Sequence, residues 1–216
     1  EEFVDGTVCS YDAIVDASGT PVFETGNVTP HSIMDIVNDR RESFFYIVKE
    51  LPAALRALGR AAVKSFGVKS RFIHFEFFRL NRDCAIGKEG DYAALELNMR
   101  PSGGCSTDMM NYAGGTDVYA IWADMIAGHV PRAVCGQKSF CVYVGRRRGK
   151  SYALSRAEIL VRYGSHLKEY GDVDGVLAPA MGDERYLACF DTEEEAYAFF
   201  GETTRAPGEP LRDDCA

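Results

Sequence analysis

Residues 71–104, RFIHFEFFRLNRDCAIGKEGDYAALELNMRPSGG, constrain this chain more than any other stretch. Residues 72–78 are rich in aromatic and β-branched side chains and read as a strand. Residues 81–91 carry the Gly, Asn and Asp of a turn, and residues 92–99 return as a second apolar run. Alternation puts His74, Glu76 and Phe78 on one face of the first strand, and Ala94, Glu96, Asn98 and Arg100 on one face of the second. A turn centred near residue 86 sets Glu76 beside Glu96. Two ionised carboxylates opposed on a sheet repel, and neither belongs on strands this apolar without a partner. A divalent cation between them removes both objections. Two glutamates and the Asn98 carbonyl are hard oxygen donors of the kind magnesium takes. Arg100 adds a fork of donors for a phosphate or carboxylate. Alternation alone leaves a second reading equally open, a hairpin whose polar face simply meets water.

At 216 residues the chain is long enough to bury a core, as one domain or one and a half. A formal net charge of −8 excludes a general nucleic-acid binder, which needs a basic footprint. No apolar run approaches the length of a membrane span. The seven cysteines are scattered without a CxxC pair, and Cys9, Cys135, Cys141 and Cys189 lie in apolar runs. Reduced, buried thiols in a cytoplasmic protein are expected from that pattern.

Before the hairpin, residues 7–17 read as a strand, Ser18-Gly19 as a turn, and Pro21-Val22-Phe23 as the returning strand. Residues 26–41 read as a polar loop containing His31. A helix follows from Pro52, placed at its first position, with Leu51, Leu55, Leu58, Ala62 and Phe66 as the apolar stripe and Gly67 as its stop. Beyond the hairpin, Ser102-Gly103-Gly104 turns the chain, Ser106 starts a helix, and Thr116-Asp117 caps another over residues 118–127. Tyr119, Ile121, Trp122, Met125 and Ile126 form its apolar side. From Pro131 the composition shifts. Residues 139–144 read as a strand, residues 146–150 (RRRGK) as a basic turn, either a solvated loop or an anion contact, Ser155 as a helix cap, and Thr192 as the start of a last helix with Glu193, Glu194 and Glu195 at its positive end. The expected division is 1–130, 131–204 and a loose tail, 205–216. The expected fold class is α+β, an antiparallel sheet with packed helices followed by a small α/β extension.

Glu76 in HFEFF, followed by Glu96, Asn98 and Arg100 in ELNMRPSGG, resembles the metal-binding hairpin of ATP-grasp enzymes of the carboxylate-amine ligase and carbamoyl-phosphate synthase kind. The resemblance implies the C-terminal subdomain of that fold. It implies ATP with magnesium or manganese as cofactors, Glu76, Glu96 and Asn98 as metal ligands, and Arg100 as the residue that stabilises the transferred phosphoryl. The opening Glu1-Glu2-Phe3-Val4 is similar to the family's hinge strand, which implies that Glu1, Glu2 and Val4 meet the adenine edge. His31 resembles a histidine that the family places near the nucleotide. The likeness runs from residue 1 to residue 128. In that family the phosphate-gripping lysines and a glycine-rich lid precede the hinge. The chain therefore reads as the C-terminal half of a longer ligase, with the N-terminal half as its partner, small carboxylate and amine substrates, and a homodimer as one assembly. Neither nucleic acid nor membrane is expected as a partner. A non-catalytic nucleotide-binding module of the same fold is the alternative. Biotin carboxylation fits less well, because Pro101-Ser102-Gly103-Gly104 stands where those enzymes continue Gln-Val-Glu-His.

Overall fold

The computed structural model describes residues 3–130, 132, 136 and 138–210. In chain order they form β1 (Gly6–Val15), β2 (Pro21–Thr29), α1 (Ile33–Asn38), β3 (Ser43–Ile47), α2 (Ala53–Ser65), β4 (Arg71–Leu80) and β5 (Tyr92–Asn98). Helices α3 (Ser106–Gly114) and α4 (Val118–Ile126) follow, then β6 (Phe140–Arg146), α5 (Arg156–Tyr163), β7 (Leu167–Asp172), α6 (Ala178–Met181), β8 (Glu184–Phe190) and α7 (Glu193–Thr204). Antiparallel strand pairs covered by helices make this an α+β chain, as expected. It divides into two compact units, Glu1–Pro30 with Ile47–Lys138, and His31–Tyr46 with Ser139–Ala216.

In the first unit the strands run in the order β5-β4-β1-β2. One face is apolar: Cys9, Tyr11, Ala13 and Val15 of β1 line up with Ile73, Phe75 and Phe77 of β4, and Leu55 and Val63 of α2 pack against them. Each of the Val, Ile, Leu and Phe side chains among them contributes about 1.5–3 kcal/mol by leaving water. The face of α2 that docks differs from the expected stripe. Leu55, Gly59 and Val63 are buried, whereas Leu58 and Phe66 are 36% and 61% exposed. Gly59 decides the rotation, because a Cβ there would overlap the Tyr11 ring. Pro52 is the N-cap rather than the first helical residue, and Gly67, at φ 59°, is the stop. Residues 26–29, expected in a loop, extend β2 by pairing with β1, and residues 33–38 of that segment are helical. Asp117 caps α4 by accepting from Ala120 N, as expected, but Tyr119 and Ile126 face outward.

In the second unit the order is β3-β6-β8-β7, with β8 antiparallel to both its neighbours. Capping boxes at Ser155 and Thr192 start α5 and α7 where the sequence placed them. The basic loop is a correction. Arg146 ends β6, and Arg146 and Arg147 are only 6% and 5% exposed. The Arg147 guanidinium is consumed by carbonyls: Nε donates to Arg41 O at 2.7 Å, and the terminal nitrogens donate to Pro179 O at 2.8 Å, Ile36 O at 3.3 Å and Ala178 O. A charge run therefore reads as solvated only until backbone carbonyls distant in sequence come to meet it.

Candidate metal-binding face of the hairpin

The opposite face of the first unit's sheet is polar along one line. Register pairs Asn27 with Ser10, Ser10 with Glu76 and Glu76 with Glu96, while Asp12 pairs with His74 and His74 with Asn98. Directly opposed residues project to the same side of a sheet. Glu76, Glu96 and Asn98 thus share a face, Glu76 and Glu96 as direct cross-strand neighbours. A bulge at Leu95 then shifts the register so that Ala94 opposes Phe77. That moves Ala94 off the face on which simple alternation put it, and ends the polar line at Glu96.

Two residues outside the expected set complete this face. The His74 ring is bracketed by carboxylates, with Nδ1 2.8 Å from Asp12 Oδ1 and Nε2 2.9 Å from Glu76 Oε1. Both nitrogens face acceptors, so the ring donates from both and is an imidazolium. Burial works against that charge, but the hydrogen bonds to Asp12 and then Glu76 outweigh it and hold the pKa up at about 10. Asp12 is fully buried and accepts from Ser10 Oγ, which in turn accepts from Asn27 N at 3.2 Å. The chain Asn27–Ser10–Asp12–His74–Glu76 crosses three strands. Its sequence signal was Ser10 and Asp12 two residues apart in an apolar strand.

The donor set suits a divalent cation. His74 occupies Glu76 Oε1 and leaves Oε2; Glu96 is exposed; Asn98 Nδ2 is buried without a hydrogen-bond partner. A half-turn of that amide, whose N and O are interchangeable by assignment, puts its oxygen in the same place. Among the described residues no group of three or more His, Cys, Asp and Glu is arranged to hold a metal. The set is two carboxylates and an amide, few enough ligands to suit magnesium, which keeps several waters. A cleft of about 250 Å3 in the same unit is lined by Phe23, Glu24, Thr25, Lys49, Arg56 and Lys138 and does not include Glu76 or Glu96.

The other expected residues are dispersed. Arg100 lies just past β5, exposed, with NH1 donating to Pro101 O at 2.9 Å. Val4 is half-buried ahead of β1, and Glu1 and Glu2 lie outside the described residues. His31 belongs to the second unit, where its ring lies 5.7 Å from that of Phe200 and 6.4 Å from that of Phe44.

No protein-family profile matches the chain, and no curated protein does. Solved structures match its fold. The L-amino acid ligase from Bacillus licheniformis has a TM-score of 0.64 at 14% identity, covering 92% of this chain and 52% of that one. The phosphoribosylglycinamide synthetase from Anaerococcus prevotii has a TM-score of 0.61 at 13% identity, over 90% of this chain and 50% of that one. The biotin carboxylase domain dimer of Hydrogenobacter thermophilus 2-oxoglutarate carboxylase, in complex with magnesium ADP and bicarbonate, has a TM-score of 0.54 at 10% identity, over 91% and 44%. The chain spans about half the length of these structures. Over about half of their length, it shares the ATP-grasp fold of these structures.

Proposed function

We propose that this chain is the metal-binding half of a magnesium- and ATP-dependent ligase that activates a carboxylate as an acyl phosphate for attack by an amine. The observation that carries the reading is the direct cross-strand pair Glu76–Glu96 with Asn98 one pleat away, set in the ATP-grasp fold. Glu76, Glu96 and Asn98 hold the cation, which when bound neutralises charge on the phosphates. His74, fixed by Asp12, keeps the Glu76 carboxylate in one orientation. Arg100, exposed just beyond β5, stabilises charge on the group being transferred. The likeness of the opening segment to the family's hinge strand would bring Val4 to the adenine edge.

The test is Glu96→Gln in the longer protein, a substitution that keeps shape and removes a charged ligand. Turnover should fall by about two to three orders of magnitude. Near wild-type turnover would remove Glu96 from the metal site and the reading with it.

A further inference from the structure

Cys141 of β6 and Cys189 of β8 face each other in the antiparallel ladder of the second unit. The backbone of Cys189 is engaged on its other side. Its N–H donates to His166 O at 2.9 Å, and its carbonyl lies 3.0 Å from His166 Nδ1, just ahead of β7. In an antiparallel strand the N–H and C=O of one residue point the same way. Cys189 therefore turns both away from β6, and its pairing with Cys141 is of the non-hydrogen-bonded kind. Such pairs bring Cα atoms to about 4.5 Å with the side chains at their closest, inside the span of roughly 4.4–6.8 Å that a disulfide bridges. The two thiols differ in access, since Cys141 is fully buried and Cys189 only partly.

We propose that Cys141 and Cys189 form a dithiol that hydroperoxides oxidise to a cross-strand disulfide between β6 and β8.

The surroundings of Cys189 favour it as the attacking sulfur. A hydrogen bond from Cys141 lowers its pKa to about 7 against the effect of burial, with help from Ser139, Lys168 and His166. Lys168 is the extra residue where the β7–β8 register slips between Leu167 and Glu169. A thiolate is the form that attacks peroxide. The Cys189 sulfur attacks one peroxide oxygen, the O–O bond breaks, and a sulfenic acid and one water form. The Cys141 sulfur then displaces the sulfenic hydroxyl, which leaves with the Cys141 proton as a second water. Two thiols and one hydrogen peroxide give one disulfide and two waters, and the two electrons lost by sulfur reduce the peroxide. Cys84, by contrast, is exposed in the turn between β4 and β5, bridged to Gly87. It is the internal comparison for a thiol that is accessible but not set opposite another.

The experiment treats the reduced, folded chain at low concentration with stoichiometric hydrogen peroxide, blocks remaining thiols by alkylation, and digests with trypsin without reductant. Peptides 139–146 (SFCVYVGR) and 186–205 (YLACFDTEEEAYAFFGETTR) should appear joined. The joined species should be about 2 Da lighter than the two thiol peptides summed and should separate with dithiothreitol. Cys189→Ser should abolish the linked species, and Cys84→Ser should leave its yield unchanged. In Cys141→Ser, dimedone should trap a sulfenic acid on peptide 186–205. The inference is overturned if the two peptides stay unlinked while Cys84 is oxidised, or if Cys189 links to a different cysteine. Mapping of the unmutated chain decides between these outcomes even if a variant fails to fold.

Discussion

Burying Asp12 beneath the sheet face is tolerable because His74 stands over it, and the same ring holds Glu76 through its other nitrogen. The folded pKa of His74, about 10, lies above the ordinary 6.5. A raised pKa means the charged ring stabilises the fold fully below about pH 6.5, and that contribution is lost as pH climbs toward 10. At about 1.4 kcal/mol per unit of displacement, the loss amounts to a few kcal/mol across the window. Urea midpoints taken from pH 6 to 10, with a chelator present, should fall faster in the native chain than in His74→Gln. Parallel profiles would show that the ring is neutral in the folded state. The role proposed for Arg100 calls for a kinetic test, because on that proposal its fork of donors matters only once charge develops on the transferred group. In the ligase proposed above, Arg100→Lys should lower the rate of transfer more than it weakens ATP binding. Equal losses would assign Arg100 to ground-state affinity.

Among the elements, α2 is fixed by a residue with no side chain. Replacing a mid-helix glycine by alanine gains about 0.5–1 kcal/mol of helix propensity. At Gly59 the added methyl meets the Tyr11 ring, and overpacking a filled core costs about 1–3 kcal/mol. Overpacking wins, so Gly59→Ala should destabilise the chain by about 1–2 kcal/mol in urea unfolding, and a gain in stability would mean that α2 docks on another face. The same helix shows where sequence patterning stops short. Its existence and its Gly67 stop were legible because they are local, whereas the rotation of its buried stripe was set by Tyr11, a residue of β1 about fifty positions earlier. Arg60 adds to this: its Nε donates to Glu24 Oε1 at 2.8 Å and ties α2 to β2. Arg146 and Arg147 failed as a solvated loop for the same reason, since the carbonyls of residues 36, 41, 178 and 179 are invisible to a local window. The hairpin was legible because its period of two and its turn residues are local, and only the bulge at Leu95 escaped.

At the scale of the molecule, Glu76 and Glu96 were legible as neighbours because one turn joins them. Asp12 and His74 were not legible as a pair because β1 meets β4 across some sixty residues of chain. The same separation between local and global governs what the chain should do alone. Both units bury apolar cores: Tyr11, Ile73 and Phe75 in the first, and Tyr143, Tyr186 and Phe199 in the second are fully enclosed. Cooperative folding is therefore expected. Catalysis is not, because phosphoryl transfer depends on positioning and charge stabilisation around the whole γ-phosphate, and the matched structures are about twice this chain's length. On the proposed reading, the hairpin offers a metal side and Arg100. With contacts from one side, Mg-ATP affinity should be about millimolar, and phosphate release should stay at background. Titration calorimetry with Mg-ATP and a phosphate-release assay decide the matter together. Micromolar binding, or hydrolysis that disappears in Glu96→Gln, would mean that the chain completes its site by itself, and a second copy of the chain would then be the first place to look for the missing contacts.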